Sequence, residues 1–117
     1  ARMVYVVEDD AGVRALLERV LGTLYTLRTF ESGPEALEAL RSAPPDVLVT
    51  DLQLGDFAGE ELAWAAANLQ TPPRVVVMSG DRRRLLRAAR WAQAAVAKPF
   101  AIPALIGAIE AEPPVLC

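Results

Sequence analysis

The chain has 117 residues, 53% of them hydrophobic, and a formal net charge of −3, which is a single-domain length able to bury roughly two-thirds of its unfolded surface. It contains no histidine, which removes Ser-His-Asp and Cys-His catalysis and most zinc sites, and its one cysteine, Cys117, can close no internal disulfide. The small charge points to neither nucleic acid nor membrane, no apolar run is long enough to span a bilayer, and no basic-then-apolar leader opens the chain, so a soluble, cytoplasmic protein is expected.

Short apolar runs alternate with longer amphipathic ones, the pattern of a parallel sheet covered by helices on both faces. Strands are expected near 2–7, 25–30, 46–51, 73–79 and 94–98. The first, Met3-Val4-Tyr5-Val6-Val7, runs into Glu8-Asp9-Asp10, and the helix after it carries Val13, Leu16, Leu17, Val20 and Leu21 at helical spacing. Ser32-Gly33-Pro34-Glu35 supplies a cap, an early proline and an acidic first turn to the second helix, whose apolar positions are Ala36, Leu37 and Leu40. Pro44-Pro45 ends that segment and Pro72-Pro73 ends the third helix. A fourth helix rich in arginine follows Ser79-Gly80-Asp81, and the last runs from about Ile102-Pro103 to Ala111, where Pro113-Pro114 stops it. One domain over 1–112 is expected, with 113–117 a tail or the start of a linker; whether an effector domain follows Cys117 is left open by the residues.

In an open α/β sheet, ligands bind beyond the carboxyl ends of the strands. Those ends read Glu8-Asp9-Asp10, Asp51, Ser79-Gly80-Asp81 and Lys98-Pro99. Like charges gathered at one rim repel by roughly 1 to 4 kcal/mol a pair, and a hard divalent cation relieves that crowding while bringing phosphate with it. Asp9, Asp51 and the backbone carbonyl of Gln53 are candidate ligands for Mg²⁺ or Mn²⁺, with Glu8 reaching the ion through water. Asp51 can attack a phosphoryl group, Lys98 offers a compact cation to a phosphate oxygen, and Ser79 offers a hydroxyl. Any one of these residues alone is more often a cap or a solvated turn; their convergence on successive strand ends favours function.

The series Val6-Val7-Glu8-Asp9-Asp10, Val49-Thr50-Asp51-Leu52-Gln53-Leu54 with Gly59, Val77-Met78-Ser79-Gly80 and Lys98-Pro99-Phe100 resembles the receiver domain of bacterial two-component response regulators. The resemblance implies an α/β fold: a flavodoxin-like three-layer sandwich with a five-stranded parallel sheet of order 2-1-3-4-5 and five flanking helices. It implies Asp51 as phosphoacceptor, Glu8 and Asp9 as the acidic pair serving Mg²⁺, Ser79 as switch hydroxyl, Lys98 as phosphate-binding lysine and Pro99 as the site of a cis peptide. It further implies slow self-dephosphorylation rather than enzymatic turnover, with Gln53 and Asp81 tuning the lifetime. The implied partners are a sensor histidine kinase or phosphotransfer protein, and a downstream target or attached output domain served by the face of helix four, strand five and helix five.

Three departures touch that output. Ala95 stands where the family usually has an aromatic residue on strand five, and Trp91 is a candidate to fill the space. Helix four is expected to be shortened or displaced. The loop Leu54-Gly55-Asp56-Phe57 lacks a common proline and is expected to be looser. Arg82, Arg83, Arg84, Arg87 and Arg90 form either a solvated face or a docking surface for an acidic segment or a dimer mate. The absence of a recognition-helix motif and the net negative charge argue against direct nucleic-acid binding. The alternative function is a receiver-fold interaction module that signals without phosphorylation. A phosphatase of the aspartyl-phosphate type would need a second Asp where Gln53 stands.

Overall fold

The computed structural model describes residues 2–111; the expected tail at 113–117 lies outside them. The elements are β1 (Met3–Val7), α1 (Ala11–Leu21), β2 (Thr26–Phe30), α2 (Gly33–Ser42), β3 (Val47–Asp51), β4 (Gln53–Leu54), β5 (Phe57–Ala58), α3 (Gly59–Ala67), β6 (Arg74–Ser79), α4 (Arg82–Ala88), β7 (Ala94–Ala97) and α5 (Ile102–Glu110). Five strands form one parallel sheet of order β2-β1-β3-β6-β7, which is the expected 2-1-3-4-5 order of its members. Because all five run the same way, their carboxyl ends share one rim. The order reverses at β1, and the crevice between the ends of β1 and β3 is where such sheets bind ligands.

Continuous apolar strands are what a sheet covered on both faces demands, since alternate side chains enter opposite cores. In β1, Tyr5 and Val7 join Leu48, Val75 and Val77 beneath α2, α3 and α4, packing on Ala36, Leu40, Leu62, Ala66 and Leu85. Val4 and Val6 join Val49, Val76 and Met78 on the other face, against Leu17 and Leu21 of α1 and Leu105 and Ile109 of α5. No helix among the described residues is long and apolar enough to cross a membrane.

Three expectations need correction. Leu16 does not enter the core and is 48% exposed, because the stripe Val13-Leu17-Leu21 alone meets the sheet. The segment after Asp51 is not loose: Gln53–Leu54 and Phe57–Ala58 pair antiparallel around Gly55-Asp56. Gly55 has φ +62° and Asp56 does not share a positive φ, the pattern of a type II′ hairpin, which places glycine first. Trp91 does not replace the missing aromatic; it packs at the edge of the α2–α3–α4 core beside Glu60, Glu61 and Trp64, and leaves Ala95 exposed. The shortened fourth helix is as expected, seven residues long, and the Lys98–Pro99 peptide is cis.

The hairpin returns the chain to α3 through Gly59, whose amide donates to the Leu52 carbonyl at 2.8 Å. A Cβ there would stand 2.0 Å from the Asp51 carbonyl oxygen and 2.7 Å from the Leu52 Cα, both backbone atoms with nowhere to go. Gly59→Ala should therefore destabilise the fold by about 2 kcal/mol, in the range of forced overpacking, as read by urea unfolding. Gly107→Ala, where nothing lies within 4 Å of the new methyl, should be neutral or stabilising by a few tenths of a kcal/mol.

Candidate functional site

The rim carries a cleft of about 330 Å³ lined by Glu8, Asp9, Asp10, Asp51, Gln53, Gly55, Ser79, Gly80 and Lys98. Four strand ends deliver these side chains. Glu8 follows β1 directly and is fully buried; its amide donates to the Phe30 carbonyl at 3.0 Å, which fixes the chain as it leaves the sheet. Asp51 closes β3 and is 6% exposed, with one carboxylate oxygen accepting from the Gln53 amide at 2.9 Å. Lys98 leaves β7 with its amide bonded to the Ser79 carbonyl at 2.9 Å.

The Lys98 ammonium lies 2.6 Å from Glu8 Oε1 and 2.6 Å from Asp51 Oδ2, bridging both carboxylates. Burial pushes the Glu8 carboxyl above its ordinary value, outweighing the hydrogen bonds from Lys98 and the Asp10 amide; the neighbouring Asp51 charge pushes the same way. Burial also works against the charge on Lys98, but the hydrogen bonds and charges of Asp51 and Glu8 prevail and raise it. One cation thus serves two carboxylates, and the exposed Asp9 adds a third beside them. Glu8, Asp9 and Asp51 each present an oxygen within 4.8 Å of the others. Three hard oxygen donors with one shared ammonium leave net negative charge in the cleft, a donor set that suits a divalent cation of the Mg²⁺ or Mn²⁺ type.

Ser79 is 4% exposed, and its hydroxyl oxygen accepts from the Asp81 amide at 2.9 Å, so its proton is free to point into the cleft. Asp81 itself does not line the cleft. Its carboxylate caps α4, accepting from the Arg83 amide at 2.9 Å and the Arg84 amide at 3.3 Å. Pro99 and Ala95 also lie outside the cleft lining.

Several groups without a motif of their own support the cleft. Asp10 caps α1, accepting from the Val13 amide at 3.0 Å, while its own amide donates to Glu8 Oε2 at 3.2 Å. Arg14 donates to the Glu8 carbonyl at 2.9 Å. Arg84, grouped by sequence with the arginine face, instead grips Glu60 through Nε at 2.9 Å and Nη2 at 2.6 Å, and Nη2 also donates to the Leu52 carbonyl. Helical phase is the one signal that could have separated Arg84 from its neighbours, since it adjoins the buried Leu85 and Ala88.

The sequence model of the response regulator receiver domain matches residues 4–110, and the chain belongs to that family of signalling domains. The DNA-binding transcriptional regulator NtrC of Escherichia coli K12 is 34% identical over 112 residues, covering 92% of this chain but 24% of that protein. PdtaR, a transcriptional regulatory protein of Mycobacterium tuberculosis, is 32% identical over 93% of this chain and 55% of its own length. The chain therefore spans about a quarter to a half of these relatives. Among solved structures, a Burkholderia pseudomallei response regulator with a phosphorylated aspartic acid, calcium ion and citrate superposes at a TM-score of 0.84, at 24% identity over 94% of this chain and 67% of that one. NtrX from Brucella abortus superposes at 0.82, at 26% identity over 94% of this chain and 27% of that one.

Lys98→Met should cost about 3 kcal/mol at pH 7, the penalty for leaving buried carboxylates unpaired. The sign with pH follows from Glu8. Its folded value lies above the ordinary 4.5, so the stability tied to its protonation is present below that value and is lost as pH rises through the folded one. Without Lys98 the folded value rises further. Urea unfolding of the metal-free variant should show the deficit shrinking as pH falls from 7 toward 4.5, whereas a pH-independent deficit would contradict this account.

Proposed function

We propose that Asp51 accepts a phosphoryl group from a sensor histidine kinase or phosphotransfer protein, and that the chain thereby works as a phosphorylation-controlled switch. The shared Lys98 bridge carries this reading: a lysine seated 2.6 Å from the Asp51 carboxylate stands where a phosphoryl group on that oxygen would need a cation. Glu8, Asp9, Asp51 and the Gln53 carbonyl are the residues that would hold Mg²⁺ or Mn²⁺, which when bound neutralises charge on the transferring oxygens.

The chain's own groups account for the rest. Asp51 Oδ1 is engaged by the Gln53 amide, which orients the carboxylate before any donor arrives. On transfer, the bond from phosphorus to the donor's leaving atom breaks, the bond from phosphorus to an Asp51 oxygen forms, and the leaving group keeps the electron pair. The product replaces one negative charge with about two. Lys98 can then exchange its contact with Asp51 Oδ2 for a phosphoryl oxygen without leaving Glu8. Ser79 donates its free proton to another phosphoryl oxygen, which draws the hydroxyl away from the Asp81 amide and loosens the first turn of α4. Slow hydrolysis resets the switch. The exposed Gln53 side chain flanks the mouth of the cleft and governs water approach, while Asp81 acts through the α4 cap.

Output leaves by α4. Arg82, Arg83, Arg87 and Arg90 are exposed and form no ion pair among the described residues, with Leu86, 74% exposed, in their midst. A symmetric homodimer through α4 would set arginine against arginine, so this face suits an acidic segment of a target or of an attached output domain.

Incubation with Mg²⁺ and acetyl phosphate should label the protein stoichiometrically, and Asp51→Asn should abolish the label. Silence of the unaltered chain would favour the phosphorylation-independent interaction module; multiple turnover of a phosphoester would mean an enzyme. Association with the target should weaken as salt rises, and should drop by about tenfold or more in the Arg83→Glu, Arg87→Glu double variant, consistent with loss of steering and repulsion by two reversed charges. Unchanged association would return the patch to solvent.

A further inference from the structure

Arg84 sits on the exposed-looking, arginine-rich helix but is not part of its free face. Its guanidinium forks onto the Glu60 carboxylate, at 2.9 Å from Nε and 2.6 Å from Nη2, and both side chains are only about one-fifth exposed, at 20% and 19%. The pairing holds the Glu60 carboxyl below its ordinary range. The same Nη2 donates to the carbonyl of Leu52, the residue after Asp51. That carbonyl is one corner of a tight knot: it also accepts from the Gly59 amide at 2.8 Å, and the Leu52 amide donates to the Met78 carbonyl at 2.9 Å.

Two connections therefore join α4 to the rim. One runs through the helix cap, from Ser79 Oγ to the Asp81 amide and from the Asp81 carboxylate to the Arg83 and Arg84 amides. The other runs through the Arg84 side chain to the backbone beside Asp51. Since Ser79 and Asp51 line the same cleft, the two connections close a ring through the first turn of α4. On the neighbouring strand β7, the residues facing away from the α1–α5 core are Ala95 and Ala97, whose methyl groups reach nothing comparable.

We propose that Arg84, seated by Glu60, is a positioning residue for the acceptor: it fixes the Asp51–Gln53 backbone from α4, so that displacement of α4 by a docked partner is felt at Asp51, and the reverse. Reciprocity follows because a contact that stabilises one element in the presence of the other does so in both directions. The planar fork gives the Glu60 carboxylate two bonds and the Leu52 carbonyl a third in one fixed geometry, which a lysine in its place would not reproduce. The proposal rests on the phosphoacceptor reading for the role of Asp51, but its test does not.

Amide hydrogen exchange, followed residue by residue in the metal-free chain, separates positioning from general loosening. Arg84→Ala should speed exchange at Leu52, Gln53 and Leu54 by about tenfold, the scale of a lost hydrogen bond to a charged group. Glu60→Ala should do the same through the loss of its seat, and the double variant should go no further than Arg84→Ala alone. Ala15→Gly, at an exposed position in the middle of α1 on the opposite face of the sheet, weakens a helix that the guanidinium does not touch, and should speed exchange in α1 while leaving Leu52–Leu54 unchanged. Unaltered exchange at Leu52–Leu54 in both Arg84→Ala and Glu60→Ala, or equal acceleration there by Ala15→Gly, would overturn the proposal. Mg²⁺-dependent beryllofluoride binding by the unaltered chain tests the phosphoacceptor reading separately: its absence would end that reading while the exchange comparison still decided Arg84.

Discussion

One ammonium shared between two buried carboxylates governs this molecule. Glu8 has no exposed surface and Asp51 has 6%, so both carboxylates have left water, and among the described residues their shared ion-pair partner is Lys98. A buried charge with one partner removed costs several kcal/mol, so the strands that carry these three residues must hold their ends in register. They do so because β1 and β3 lie side by side at the centre of the sheet, and because Lys98 is tied to the end of β6 through the Ser79 carbonyl. The remaining negative charge, with Asp9 at the mouth, is unfavourable for the isolated fold and favourable for a cation. A charge imbalance of this kind lowers the stability of the isolated fold, as at many functional sites.

That part of the design was legible in the sequence because it rests on rules local to the strands. A strand buried on both faces is mostly apolar, so charged residues gather where such strands end; Glu8, Asp51, Ser79 and Lys98 stand at the ends of apolar runs. The proline pairs at 44–45 and 72–73 and the cap at Ser32 punctuate the helices with similar clarity, and the Ser32 hydroxyl does accept from the Glu35 amide at 3.3 Å. Strand order came with the family resemblance; periodicity alone does not set it.

What escaped the sequence depends on contacts between segments distant along the chain. Arg84 stands in a run of three arginines whose identities are the same; only its position above the Leu52 carbonyl, set by where α3 and α4 pack, gives it a separate task. Glycine permits many conformations and so suggests slackness, yet Gly55, with its positive φ between the paired Leu54 and Phe57, is what a tight hairpin needs. Gly59 carried no visible reason in the sequence, and its reason is the backbone of Asp51 passing where a methyl would be. Leu16 fits the helical stripe by spacing, yet it is 48% exposed and lines a surface groove with Phe100 and Ile102 instead of entering the core.

The same long-range contacts explain why α4 exists as a helix. Seven residues are too few for helix propensity alone to hold in water, where isolated helices need roughly 12 to 15. Its order derives from the Asp81 cap, the Arg84 fork and the burial of Leu85 and Ala88, and the first two are anchored in the rim. Ser79 holds the amide of the capping residue and Leu52 receives the guanidinium, each one bond or one residue from the acidic cleft. A helix stabilised from its site rather than from its own sequence is conditional on that site, and its first turn is the place where a change of charge at Asp51 has the least structure to overcome.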